Sequence, residues 1–131
     1  MLTLLLVGLG GGLGSISRFG LSECIYKLLG KSFPHGILIV NILGCLVIGA
    51  LAALFQKERL LEHFLTPHFK ALLITGFLGG VTTFSSFSLD ALMLLQKGQW
   101  LKAVVYILLS VLVSMIAVFV GFYLVERYVS I

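Results

Sequence analysis

Charge is what this sequence has least of: nine Lys or Arg and five Asp or Glu make up 11% of 131 residues, against about a quarter in soluble domains. That scarcity excludes an ordinary soluble globular domain. Acids are the rarer sign, and of those near the apolar stretches Glu23 and Glu126 lie close to the ends while Asp90 follows a Gly- and hydroxyl-rich motif. None occupies a midplane position, which disfavours a proton-coupled exporter of cationic compounds, because that chemistry needs a carboxylate deep in the membrane. Cysteine is limited to Cys24 and Cys45, with no CxxC or Cys/His ligand spacing, so no disulfide or cysteine metal site is expected and both read as small packing residues. The basic residues form no patch; scattered singly near helix ends, they suit lipid headgroups and exclude nucleic acid as a partner. No Lys/Arg-led start precedes a short apolar run with a cleavage site, so the first apolar stretch reads as a retained helix rather than a signal peptide.

What is present is apolar: 60% of residues are hydrophobic and the mean hydropathy is +1.16. Polar clusters divide the chain into stretches over approximately 2–29, 36–55, 69–95 and 101–125. Each can cross a hydrocarbon core of roughly 30 Å, which takes about 20 helical residues. The separators are Lys31 to His35, Gln56 to His68 (with Lys57, Glu58, Arg59, Glu62, His63 and Pro67) and Gln96 to Gln99; none can hold a soluble domain. The expected fold is therefore one all-α transmembrane domain of four helices spanning 1–131. With four spans, Lys57, Arg59, Lys70 and Arg127 share one side and Lys27, Lys31, Lys97 and Lys102 the other. Orientation follows a Lys/Arg difference between sides, and here the difference nearly vanishes, which leaves two readings: insertion in both directions, able to form an antiparallel dimer, or an accidental balance in so small a chain.

Several polar residues stand inside the oily stretches. The first span holds Gly8, Gly10, Gly11, Gly12 and Gly14, giving small-xxx-small pairs that let backbones approach; a nucleotide loop is excluded because the Gly-Lys-Ser/Thr ending is missing. Arg18 follows, and either snorkels to the interface or lines a wet cavity that attracts anions. Asn41 stands alone in the second span; its amide must face another helix, as interhelical glue, or a pore.

The third span carries Thr75-Gly76-Phe77-Leu78-Gly79-Gly80-Val81-Thr82-Thr83-Phe84-Ser85-Ser86-Phe87-Ser88. Gly79-Gly80 and the β-branched run after it make a continuous helix costly, which predicts a break in mid-membrane. If helix resumes after the break, Phe84 and Phe87 share a face with Ser85 and Ser88 alongside, as packing aromatics or as ring edges that meet an ion. Tyr106, Ser110 and Ser114 repeat every four residues on the last span, a hydroxyl track unless they bond their own helix's carbonyls.

These residues together resemble the Fluc (CrcB) family of fluoride channels over essentially the whole chain. Gly14-Ser15-Ile16-Ser17-Arg18-Phe19 looks like the family opening, Val40-Asn41-Ile42-Leu43-Gly44 its second-span signature, and Gly76 to Ser88 its strongest motif. The resemblance implies an antiparallel dual-topology homodimer in the cell membrane, with two fluoride pores lined by both subunits. It implies passive export of cytoplasmic fluoride, without enzymatic chemistry. It further implies pore roles for Asn41, Phe84, Phe87, Ser85, Ser86, Tyr106, Ser110 and Ser114, anion attraction by Arg18, and a structural sodium ion on main-chain oxygens of Gly79 and Thr82. Ser86 stands where the family often has threonine. A dual-topology exporter and a non-transporting scaffold are the rival readings, and a flux assay separates the scaffold.

Overall fold

The computed structural model describes residues 1–57 and 66–129. Within them every regular element is helical, and four stretches are long and apolar enough to cross a membrane. Helix α1 is Leu2–Leu29 and α2 is His35–Gln56. Helix α3 covers 67–81 and α4 is Phe84–Gln96; together they form the third stretch. Helix α5 is Trp100–Tyr128. Glu58, Arg59, Glu62 and His63 of the second separator lie outside the described residues.

The ends follow from local chemistry. Gly30 (φ 82°) stops α1, and its N–H caps the Tyr26 carbonyl at 2.9 Å. Thr66 opens α3 by accepting from Phe69 N at 3.2 Å, with Pro67 in the first turn, where a missing N–H costs nothing. Helix α3 then widens into a π-helical stretch over Ala71–Leu78, tightens again at Gly79–Val81, and gives way to two extended residues, Thr82 (ψ 152°) and Thr83 (ψ 120°).

Two helix pairs carry the packing, α1 against α3 and α2 against α5. Both depend on backbone contact that a side chain would forbid. A β-carbon at Gly10 would lie 2.9 Å from Phe77 N, and one at Gly14 would lie 2.9 Å from Val81 N. Of the small-xxx-small pairs, Gly10 and Gly14 are thus the working one; Gly8 and Gly12 face open space. On the other pair a β-carbon at Gly49 would collide with the Val118 carbonyl. Helix α4 closes the bundle through Phe87, Ala91 and Leu94, which pack with Leu38, Ala103 and Tyr106 into the buried cluster. Large side chains such as Leu9, Leu13, Leu112 and Phe119 remain exposed, as lipid or a partner subunit requires.

Candidate functional site

The site is built where α3 gives way to α4. Asn41, from the second turn of α2, reaches across and pairs with both main-chain groups of Thr83: its Nδ2 donates to Thr83 O at 3.0 Å and its Oδ1 accepts from Thr83 N at 2.8 Å. An amide thereby takes the part that a neighbouring strand would play toward an extended residue. The Thr83 side chain has a second task. Its Oγ1 accepts from Ser86 N at 3.1 Å, capping α4, and lies 3.1 Å from Ser85 Oγ and 3.2 Å from Ser86 Oγ.

This arrangement frees carbonyls. In a continuous helix Thr83 N–H would bond the Gly79 carbonyl and Ser86 N–H the Thr82 carbonyl. Here those donors go to Asn41 Oδ1 and Thr83 Oγ1. The Gly79 and Thr82 oxygens therefore lose their ordinary helical partners, and main-chain oxygens at an unwound segment are the donor chemistry that suits a hard monovalent cation.

Beside the interruption lies a groove of about 460 Å³ whose wall includes Asn41, Gly79, Thr82, Phe84, Phe87, Ser110 and Ser114. The hydroxyls of Ser110 and Ser114 are buried there with no hydrogen-bond partner among the described residues. Other serines of the same chain bond backward within their helix: Ser17 to Leu13 O at 2.9 Å, and Ser88 to Phe84 O at 2.9 Å. Ser110 and Ser114 make no such bond, and both residues line the groove. Phe84 and Phe87 stand side by side with ring centroids 5.3 Å apart and planes at 51°. Phe87 is buried, while Phe84 is 77% exposed. Cys45, expected as a packing residue, also lines the groove.

Other expected residues fall elsewhere. Ser85 and Ser86 turn toward Thr83 rather than the groove. Tyr106 is fully buried behind Phe87, ring centroids 5.3 Å apart, and its hydroxyl donates to Asp90 Oδ2 at 3.3 Å. The aromatic column continues from Tyr106 to Phe33, edge-on at 5.6 Å, and reaches a second cavity at the end of the bundle. Arg18 lines neither cavity and makes no ion pair among the described residues; Glu23 pairs with Lys31 at 3.9 Å instead.

Sequence reasoning missed two things here. Thr83 is the residue on which the site is assembled, and the pattern Thr83-Phe84-Ser85-Ser86 ahead of an apolar run is a readable helix-start signature. Lys31, Lys97 and Lys102 come together at the second cavity, foreshadowed by their sharing one side of the four-span topology.

Four long apolar helices with polar side chains gathered in a groove beside Thr82 and Thr83 define the class, a small multi-pass membrane protein. Residues 5–122 match the family described as CrcB-like protein, Camphor Resistance (CrcB). A protein of Francisella philomiragia named fluoride-specific ion channel FluC is 52% identical over 95% of both chains. Its namesake in Francisella tularensis subsp. mediasiatica is 51% identical over 95% of each, and that of Rhizobium etli 45% identical over 92% of this chain and 94% of its own. The chain belongs to the CrcB family, whose relatives here are named as ion channels, not enzymes.

Proposed function

We propose that the chain is the subunit of a passive, fluoride-selective channel that lets cytoplasmic fluoride leave the cell and so lowers its toxicity. The observation that carries this reading is the pair of buried, unpartnered hydroxyls of Ser110 and Ser114, two residues of a groove wall shared with Asn41, Phe84 and Phe87. A small hard anion loses strong hydration on entering a pore and needs dense donors in exchange. Ser110, Ser114 and the second N–H of the Asn41 amide supply them. The edges of Phe84 and Phe87 carry the positive part of the ring quadrupole and hold the ion weakly enough for it to leave. The relatives' name, fluoride-specific ion channel, supports the choice of ion.

The working unit in this reading is an antiparallel dual-topology homodimer in the cell membrane with two pores. Two features support it: the balance of Lys and Arg between the two sides, and the exposure of Phe84 at the groove's open flank, which a second copy would close. Ser85, Ser86 and Tyr106 then order the pathway's wall, and Arg18 attracts anions from outside the groove. A sodium ion held by the main-chain oxygens of Gly79 and Thr82 supplies fixed positive charge at the interrupted mid-membrane segment. Asn41 keeps the Gly79 oxygen free by holding Thr83 N–H to itself, and Thr83 Oγ1 does the same for the Thr82 oxygen by taking Ser86 N–H.

Fluoride efflux from liposomes containing the purified protein, with a potassium ionophore clamping the voltage and chloride-loaded vesicles in parallel, tests the reading. Rapid fluoride release with little chloride release is expected; no release of either ion from well-folded dimers would overturn it.

A further inference from the structure

We infer that the second cavity, about 310 Å³ at the end of the bundle where α1 and α4 finish and α2 and α5 begin, binds a phosphate group, that of an anionic lipid headgroup. Lys31, Lys97 and Lys102 reach its wall from three separate segments: the connection after α1, the turn after α4, and the first turn of α5. Two acids share the wall, and both are engaged. Glu23 pairs with Lys31 at 3.9 Å, and Asp90 accepts the Tyr106 hydroxyl at 3.3 Å. Lys97 and Lys102 have no carboxylate partner among the described residues; Lys102 Nζ rests on the Ser32 carbonyl at 3.4 Å. Three lysines against two carboxylates leave the cavity one ammonium in excess.

The backbone adds hydrogen-bond donors. Helices α2 and α5, 22 and 29 residues long, both start at this cavity, with Pro34 and Gln99 ahead of their first turns forming part of its wall. Neither Pro34 nor Gln99 makes a side-chain capping bond, and neither first turn holds an acid. Their first-turn N–H groups stand beside the lysines, while the C-terminal ends of α1 and α4 meet at the same cavity, so the positive charge there comes from the lysines and the N–H groups add donors only.

Depth selects the source of the phosphate. The lysines stand at the ends of the apolar stretches, where headgroups lie. Next to them Trp100 (65% exposed) and Leu101 (78% exposed) face outward from α5, an interfacial tryptophan followed by an oily helix flank. A phosphodiester in the cavity would leave its acyl chains along that flank. Free phosphate shares the chemistry but has no use for it.

Trp100 is the protein's single tryptophan and supplies the readout. The full chain, reconstituted in phosphatidylcholine with a minor fraction of brominated lipid, should show stronger Trp100 quenching by brominated phosphatidylglycerol than by brominated phosphatidylcholine. Each of Lys31→Gln, Lys97→Gln and Lys102→Gln should weaken the relative binding about fivefold, and the triple variant should quench equally with both lipids. Lys27→Gln, outside the cavity, should leave the preference in place. If inorganic phosphate at constant ionic strength abolishes the preference, the site accepts free phosphate as well, which upholds the phosphate chemistry. Equal quenching by both lipids in the unaltered protein, or a preference that survives the triple substitution, would overturn the inference. The readout is independent of ion flux, so it stands or falls apart from the channel reading.

Discussion

The amide of Asn41 closes on the main chain of Thr83 from both sides, donating to its carbonyl at 3.0 Å and accepting from its N–H at 2.8 Å. One side chain thus does for Thr83 what a helix does for its own residues, so Thr83 can leave helical geometry with both of its main-chain groups paired. Asn41→Ala should cost about 1–3 kcal/mol for each group left unpaired, read as a lowered melting temperature in detergent. Asn41→Asp keeps the acceptor and loses the donor, so it should melt higher than the alanine variant while conducting poorly, because a carboxylate repels an anion.

Stability and flux should part company at Ser110 and Ser114. Their hydroxyls are buried and unpartnered, a destabilising arrangement in a protein shaped only by folding. Ser110→Ala and Ser114→Ala should each raise stability by about 1 kcal/mol. The same variants should lower fluoride flux about tenfold, roughly one lost donor in the permeation barrier. Unfolding curves and efflux rates measured on the same preparations check both signs.

Phe87 sits between Phe84 and Tyr106, with centroids 5.3 Å from each ring. Phe87→Ile retains an apolar body but no ring edge, and with Phe84 intact it should cut fluoride flux about tenfold, the upper end of what an aromatic edge contributes. Unchanged flux in a properly assembled variant would remove the ring edge from the mechanism.

Among the glycines of α1, position decides the outcome. Gly14→Ala forces a β-carbon into the backbone of α3 and should prevent the subunit from folding, whereas Gly12 faces open space within the subunit and should tolerate alanine there. By helix propensity alone, Gly12→Ala gains about 1 kcal/mol. Yield of folded protein in detergent, followed by melting, distinguishes the two.

Replacing sodium with N-methylglucamine on both sides of the membrane should lower the melting temperature of the assembled protein and slow fluoride efflux together. Melting and efflux that are both indifferent to sodium would leave the Gly79 and Thr82 oxygens without a cation.

Much of the architecture was legible because a bilayer imposes its own length and polarity, and four apolar stretches of adequate length have few alternatives to four helices. Asn41 stood out because an amide in an apolar run must find partners, yet nothing in its identity says that the partner is the main chain of Thr83, 42 residues away. The spacing of Tyr106, Ser110 and Ser114 correctly placed them along one helix face but could not foresee that Asp90 takes the tyrosine hydroxyl, since that depends on how α4 packs against α5. Arg18 drew notice as a charge within a span, whereas the lysines that gather at a cavity are singletons in sequence and meet only when the helix ends come together. The π-helical register of Ala71–Leu78 has no side-chain signature at all; it is set by which carbonyl each N–H selects.

That widened register gives the third span a genetic property the others lack. A π-helical stretch accommodates an extra residue relative to an α-helix of the same height. Loss of one codon within 71–78 can therefore be absorbed by a return to ordinary α-bonding, leaving the phase of everything downstream, Phe84 and Phe87 included, unchanged. The same deletion in α2 or α5 would turn the rest of the helix by about 100° and carry its inward face out toward lipid. Tolerance of single-residue deletions should thus be concentrated in this one stretch, immediately ahead of the residues that can least afford to rotate.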